Sequence, residues 1–415
     1  MSSLRVEALN MHKKHQGKVG IYSKVEVHNA KDLSLAYSPG VAEPCMDIYE
    51  DESKVYDYTS KGNLVAVVSN GTAVLGLGNI GPKAAMPVME GKAVLFKSFA
   101  DVDAFPICLA TTDTDQIVET VKLLEPTFGG VNLEDIAAPQ CFEIEDRLRK
   151  ACEIPVFHDD QHGTAIVTVA GLINALKLAD KKIDEIRVVV NGAGSAGVAI
   201  VKLLLHMGVK DVILCDTKGI IYEGRQSGMN RFKDEMARMT NRNQKQGTLA
   251  DALVDADVFV GVSAAGAVTK EMVGSMHRDP IIFAMANPVP EIMPDVAKEA
   301  GALVVGTGRS DFSNQVNNVL AFPGIFRGAL DVRAKEINEE MKLAAVYAIA
   351  GLISNEELHS DYVIPDPFDP RVAAEVAAAV AFAAMKTGVA KRNVNVAEIK
   401  LHLLELTETK QTVLV

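Results

Sequence analysis

The stretch PVFHDDQHGTA, Pro155 to Ala165, places His158, Asp159, Asp160 and His162 within five residues, after a short apolar segment and before a long one. Side chains of these types could ligate a metal or relay a proton. They could also simply solvate a turn, because Asp, His and Gly between apolar runs are what a surface loop contains. Upstream, EPTFGGVNLEDIAAP sets Glu134 and Asp135 at the end of an apolar, strand-like piece. Adjacent acids at a strand end are usually just hydrated. Gathered with Asp159 and Asp160 in one cleft, however, they suit a hard cation such as Mg²⁺ or Mn²⁺, which prefers oxygen ligands. No thiolate supports zinc, so both histidines read as hydrogen-bonding or packing residues.

A second chemistry is written in glycines. GxGxxG occurs twice, as GLGNIG (Gly76, Gly78, Gly81) and as GAGSAG (Gly192, Gly194, Gly197, enclosing Ser195 and Ala196). The second follows the β-branched run IRVVV, opens a proline-free helical segment ending near Gly208, and precedes DVILC, which closes on Asp216. A carboxylate about twenty residues past the last glycine is where a dinucleotide's ribose hydroxyls are met, and the pyrophosphate would sit at the helix N-terminus. The first motif is followed by Pro82 and Pro87, which are expected to cut a crossover helix short, and Asp101 does not end a clean strand. It reads as a tight turn near substrate. For the cofactor, Asp216 favours NAD, whereas Lys218 and the basic segment Arg225 to Gly247 leave NADP open. That basic run is itself expected to be a solvated surface.

These groups need elements to hold them. From Ile186 onward, apolar runs at 186–190, 211–215, 257–262, 280–286 and 302–306 alternate with helical spacing, as a doubly wound parallel sheet requires. The fold class expected is α/β: a Rossmann-type domain at 156–390, preceded by a smaller α/β substrate and metal domain at 1–155. A C-terminal helix at 391–415 is of undetermined packing, as are the helical segments from about Phe326. The first half reads less regularly, with NLVAVVSNGTAVLGLG as its strand candidate. A boundary near Pro155 would put PVFHDDQHGTA in a cleft, where ligands usually bind.

Composition narrows the class. At 415 residues two domains are the default, and 48% hydrophobic against 23% charged residues marks a well-packed globular chain. A formal charge of −12 argues against nucleic acid as a partner. No run approaches a membrane span, and the start has no apolar signal core, so no membrane partner and a cytoplasmic location are expected. Five scattered cysteines (Cys45, Cys108, Cys141, Cys152 and Cys215) fit small buried residues better than disulfides.

Taken in order, SNGTAVLGLGNIG, MEGKAVLF, NLEDI, VFHDDQHGTA, ANP and NQVNNVLAFPG resemble the malic enzymes, from about Leu33 to Leu343, in their short prokaryotic form. The resemblance implies oxidation of L-malate by NAD(P)⁺ and decarboxylation to pyruvate with a divalent metal. It implies Glu134, Asp135 and Asp160 as metal ligands, Lys92 as general base, Tyr37 as general acid and Asp159 as the neighbour that sets the lysine's state. Asn287 and Asn318 match positions that contact malate, and Asn287 also lies at the cofactor. A homodimer is likewise an expectation of the resemblance. Larger members carry an arginine before LGLG that grips a malate carboxylate, and here Ala73 stands in its place. Backbone N–H groups of the glycine turn, or another basic residue, are the substitutes to look for. The acyl-transferase-like module of some bacterial members is expected to be missing.

The chemistry suits these groups. Hydride leaves C2 of malate only as the hydroxyl proton is removed, so a base must sit there, and lysine serves only when neutral. A nearby cation lowers its pKa and Asp159 raises it. Three rivals stand beside this reading: a malolactic enzyme, which retains its cofactor and yields lactate, a non-catalytic nucleotide-binding regulator, and an amino-acid dehydrogenase, which would not need the acidic cluster.

Overall fold

Chain order builds two parallel sheets in succession. In the computed structural model, which describes residues 3–74 and 76–413, four helices come first: α1 (Ser3–His15), α2 (Ala30–Ala36), α3 (Ala42–Glu50) and α4 (Val55–Tyr58). None of the described side chains from Leu4 to Ser60 is buried, although Leu33, Leu35, Tyr37, Met46 and Tyr49 are among them.

The first sheet follows as β1 (Leu64–Ser69), α5 (Gly81–Ala100), β2 (Asp103–Cys108), α6 (Thr114–Leu124), β3 (Gly130–Leu133), α7 (Gln140–Ala151) and β4 (Val156–His158). Its strands are parallel in the order β2-β1-β3-β4. Parallel neighbours need crossover helices, and β1, a near-continuous apolar run, is covered on both faces as a central parallel strand should be.

The second sheet is reached through α8 (Asp159–Leu178). It comprises β5 (Arg187–Asn191), α9 (Ser195–His206), β6 (Asp211–Asp216), β7 (Gly219–Ile220), α10 (Arg231–Met239), α11 (Leu249–Leu253), β8 (Val258–Gly261), α12 (Lys270–Gly274), β9 (Ile281–Ala284), α13 (Pro294–Glu299) and β10 (Val304–Thr307). The order is β10-β9-β8-β5-β6-β7, parallel except for the small edge strand β7. The chain leaves β5 in one direction to β6 and returns on its other side to β8. A crevice therefore opens beyond the end of β5, the switch point at which such sheets bind ligands. The chain closes with α14 (Phe322–Asp331), α15 (Glu339–Ala350), α16 (Arg371–Thr387) and α17 (Val396–Val413). Residues 414 and 415 of the expected C-terminal helix lie outside the described residues.

All five strands expected after Ile186 are present, and four readings need correction. PVFHDDQHGTA is not a loop: Val156–His158 is the last strand of the first sheet, and Asp159 begins a helix of 20 residues. Two acids in that first turn complement the exposed N–H groups and the helix dipole. Pro82 and Pro87 do not shorten α5. Pro82 occupies its first turn, where a missing N–H costs nothing, and the loss at Pro87 is offset by burial of Ala85, Met89, Ala93, Phe96 and Ala100. The strand candidate NLVAVVSNGTAVLGLG stops at Ser69, because the glycines beyond it turn the chain, Gly71, Gly76 and Gly78 all with positive φ. Cys45 is exposed, whereas Cys141, Cys152 and Cys215 are buried as expected and Cys108 is partly so.

The C-terminal helices bridge the two sheets. Phe96 of α5 meets Phe322 and Phe326 of α14 edge to face, at 4.7 and 5.2 Å between ring centroids, and Phe157 of β4 meets Phe326 at 5.9 Å. Such rings contribute about 0.5–1.5 kcal/mol beyond their burial, and here they hold α5 and β4 against α14. No described helix is long and apolar enough to cross a membrane.

Candidate active site

Four elements converge where the two sheets meet. Lys92, in the middle of α5, reaches across to the Asp159 carboxylate at the start of α8, with Nζ 2.7 Å from Oδ2. The same ammonium is 2.9 Å from Glu134 Oε1, just beyond β3, and lies 4.2 Å over the Phe322 ring. Burial alone would push this lysine down, but the two carboxylates hold it well above its usual range. In this arrangement Lys92 is protonated.

Glu134 and Asp135 end β3, and Asp135 adopts the left-handed conformation (φ 54°) that a short polar side chain tolerates. Its backbone N–H donates to Asp160 Oδ2 at 2.8 Å, while Asn132 donates to Glu134 Oε2 at 2.8 Å. One carboxylate oxygen from each of Glu134, Asp135 and Asp160 lies within 4.8 Å of the others. Burial, then the neighbouring negative charges, push Glu134 well above its usual value against the pull of Lys92. Burial raises Asp160 as well. An all-oxygen set, crowded and short of positive charge, fits a hard divalent cation. Asp159 stands beside this group on the lysine. Its carboxylate lies against the backbone at Gly163, where an added Cβ would come 1.9 Å from Oδ1.

Asn318 is brought to the same place. Its Nδ2 donates to Asp159 Oδ2 at 3.0 Å, and Thr164 Oγ1 donates to its Oδ1 at 3.1 Å. Asn287 sits in the loop after β9, before a cis bond to Pro288, and the GLGNIG turn packs on it: a Cβ at Gly76 would lie 3.3 Å from its carbonyl oxygen. That turn spends most of its N–H groups internally, for Val74 and Gly78 bond one another and Ile80 and Gly81 bond Gly71. Ala73 donates to the Asp135 carbonyl at 3.0 Å. The candidate donors for a malate carboxylate are thus largely occupied. Tyr37 is the residue not brought in. It caps the end of α2, is 69% exposed, and no hydrogen bond or ion pair joins its side chain to Lys92, Glu134, Asp159 or Asp160.

The GAGSAG turn has a distinct use for each glycine. Gly192 takes φ +121°, and a Cβ at Gly197 would lie 1.7 Å from the Gly192 carbonyl, so α9 packs tightly on β5 only without one. Gly194 has nothing within 4 Å of its Cβ position, and it caps α9 ahead of Ser195 and Ala196. Open space at that point is what a pyrophosphate on a helix N-terminus needs. Asp216 ends β6 as expected, but Arg225 and Lys233 grip its carboxylate at 2.5 and 2.6 Å. The basic run is therefore not wholly solvated: Arg225 is buried because β7 and its following loop fold it back over Asp216.

Some supporting residues are not evident in motifs. Glu291, fully buried, accepts from Ser263 N and Oγ at 2.8 and 2.9 Å and from Ala286 N at 3.0 Å, tying together the loops after β8 and β9. Glu145 of α7 receives His162 Nε2 at 2.8 Å, Gln161 Nε2 at 3.1 Å and the His158 N–H at 3.2 Å, which anchors the start of α8. A signal for Glu145 was present, since it shares the apolar stripe of Cys141, Ile144 and Leu148. His162 is thus a hydrogen-bonding residue, and His158 is fully buried with its ring 3.8 Å from Asp160.

Comparison with known proteins places the chain in a family. Residues 14–149 match the family described as malic enzyme, N-terminal domain, and residues 161–389 match malic enzyme, NAD binding domain. The chain belongs to the malic enzyme family. A curated relative from Bacillus subtilis, named a bifunctional malic/malolactic enzyme, is 73% identical over 98% of this chain and 99% of its own length. An NAD-dependent malic enzyme from Geobacillus stearothermophilus is 57% identical over 91% of this chain and 78% of its own. Other relatives are named NADP-dependent malic enzymes, and the chain spans about half their length. Among solved structures, malic enzyme from Pyrococcus horikoshii superposes with a TM-score of 0.95 at 48% identity, covering 99% of this chain and 97% of that one.

Proposed function

We propose that this malic enzyme family member oxidises L-malate at C2 and decarboxylates the product to pyruvate and CO₂, reducing NAD⁺ or NADP⁺. The observation that carries the reading is Lys92, held 2.7 Å from Asp159 and 2.9 Å from Glu134, with Glu134 shared between the lysine and a three-carboxylate cluster. Glu134, Asp135 and Asp160 would hold Mg²⁺ or Mn²⁺. When bound there, the cation supplies electrophilic stabilisation of the negative charge that loss of CO₂ leaves on the ketone oxygen.

The chain's own residues do the rest. Lys92 takes the C2 hydroxyl proton, for which it must first be neutral; were Glu134 committed to a cation, Asp159 alone would be left to keep the lysine protonated. Asp159 orients the lysine and is itself fixed by Asn318 and by the backbone at Gly163. Asn287 lies between the GLGNIG turn and the end of β9, at the boundary of substrate and cofactor. Gly192, Gly194, Ser195, Ala196 and Gly197 receive the pyrophosphate, and Asp216 and Lys218 lie at the adenosine end. Our division of labour places the substrate and metal part up to about residue 155 and the nucleotide part beyond it. The free cysteines suit a cytoplasmic setting.

Protonation of enolpyruvate at C3 is the task of Tyr37, supplied by a second copy of the chain. What supports a homodimer is the N-terminal segment, whose exposed Leu33, Leu35, Tyr37, Met46 and Tyr49 have no cover in their own chain. A malolactic outcome is favoured by one observation, that the Bacillus subtilis relative is named a bifunctional malic/malolactic enzyme. Metal-stripped protein assayed with L-malate and each nicotinamide should reduce cofactor only once Mn²⁺ or Mg²⁺ is restored. Reduction at full rate with no divalent cation would contradict the metal assignment.

A further inference from the structure

His158 ends β4, and the alternation of a strand puts it on the same face as Val156. Val156 belongs there to an apolar core with Ile144 and Leu148 of α7. A leucine would serve such packing, yet position 158 carries an imidazole. That ring is fully buried, and neither of its nitrogens has a hydrogen-bond partner among the described residues. A buried donor without a partner has lost its water contacts and gained nothing for them, so native folds keep very few.

One acceptor lies close. Nδ1 is 3.8 Å from Asp160 Oδ2, against the roughly 2.7–3.2 Å of an N–H···O bond. His158 is itself held in place, in register with Leu133 of β3 and donating its backbone N–H to Glu145 Oε1 at 3.2 Å. Asp160 stands in the first turn of α8, where its Oδ2 takes the Asp135 N–H at 2.8 Å. Glu134, across the cluster, already has a counterpart of this kind, for the Asn132 amide lies 2.8 Å from its Oε2. Two carboxylates of the cluster thus have a buried polar side chain behind them, one bonded and one a short movement from bonding.

We propose that His158 is the positioning residue for Asp160: with Nδ1 carrying a proton, it donates to Asp160 Oδ2 when a divalent cation occupies the cluster, and so sets how tightly the cation is held. The inference rests on the reading of Glu134, Asp135 and Asp160 as the cation site. A hydrogen bond to a carboxylate fixes which way its oxygens face, and bonds to a charged acceptor are the stronger class. His158 thereby does for Asp160 what Asn132 does for Glu134.

Titration of the full-length protein with Mn²⁺, followed by electron paramagnetic resonance without malate or nicotinamide, reads cation affinity apart from turnover. His158→Leu suits the apolar face but removes the donor, and Mn²⁺ should bind about 10- to 100-fold more weakly. His158→Asn puts an amide nitrogen where Nδ1 stands and should hold Mn²⁺ within about threefold of the unsubstituted protein. A packing role would give the reverse order, because asparagine fits an apolar face worse than leucine does. Mn²⁺ affinity in His158→Leu within about twofold of the unsubstituted protein, or no better in His158→Asn than in His158→Leu, would overturn the proposal while leaving the cation site standing. No Mn²⁺ binding in the unsubstituted protein would overturn both. Should His158→Leu fail to fold, His158→Gln replaces it, since its amide reaches the place of Nε2 and not that of Nδ1: weakened Mn²⁺ is expected, and full affinity would count against the proposal.

Discussion

Lys92 and Asp159 lie 2.7 Å apart although they come from different helices, and the contact exists because α8 begins at the end of the first sheet and points Asp159 across to the middle of α5. Asp159 is fully buried, so its charge is answered by Lys92 and by the Asn318 amide. The relationship makes Lys92 the group whose proton state Asp159 and the carboxylate cluster jointly govern.

Replacing Lys92 by Met should therefore remove the base without removing the metal ligands. Turnover of L-malate is expected to fall by about 10²- to 10⁴-fold, the usual contribution of a positioned base. Mn²⁺ binding, followed by electron paramagnetic resonance, should persist. Asp160→Asn is expected to do the converse, weakening Mn²⁺ by at least about tenfold. A Lys92→Met protein with undiminished turnover would remove the lysine from the mechanism.

Much of this was legible in the sequence, and what was not has identifiable causes. The five strands after Ile186 stand out because a parallel sheet covered on both faces needs continuous β-branched runs. Lys92, Glu134 and Asp160 could be assigned roles through their motifs, yet only the fold shows that one carboxylate serves both the lysine and the cluster. The helix at Asp159 was hidden because two acids, a glycine and histidines resemble turn chemistry, although the same acids favour a helix N-terminus. Arg225 was hidden more deeply. Nothing local marks it as buried, since its partner ends β6 and the intervening chain, β7 included, must fold back to make the pair.

The last two glycines of GAGSAG should respond differently to one added methyl group. At Gly194 the space is open, so Gly194→Ala should keep the melting temperature while weakening both nicotinamide cofactors. At Gly197 the methyl would meet the Gly192 carbonyl, and Gly197→Ala should lower stability by about 1–3 kcal/mol. Melting curves with and without NADP⁺ separate the two effects. Unchanged cofactor binding in a folded Gly194→Ala protein would move the pyrophosphate elsewhere.

Mixing inactive variants tests whether Tyr37 serves a partner's site. Tyr37→Phe and Lys92→Met proteins, dissociated together and reassembled, should recover about a quarter of the unsubstituted activity if a two-fold dimer shares its sites. Each hybrid would then contain one site with both groups intact. No recovery beyond that of the separate variants would place Tyr37 and Lys92 in the same chain.

Glu145 predicts an acid limit to stability. Burial pushes its carboxyl up, but His162 and its hydrogen bonds hold it down at about 2. A carboxyl lowered on folding contributes stability that is fully present above its unfolded value near 4.5 and is lost as pH falls toward 2. Glu145→Gln should melt lower near pH 7, and the gap to the unsubstituted protein should close across that window. A gap that stays constant from pH 7 to pH 3 would mean that the carboxylate charge is not what Glu145 contributes.

The proposed reaction couples oxidation of L-malate to loss of CO₂ and releases the reduced cofactor. The most direct test quantifies pyruvate, lactate and reduced nicotinamide together after incubating purified protein with L-malate, Mn²⁺ and a limiting amount of NADP⁺. Pyruvate and reduced cofactor rising mole for mole is the predicted result. Lactate accumulating with no net reduction would contradict it and make the chain a malolactic enzyme in practice.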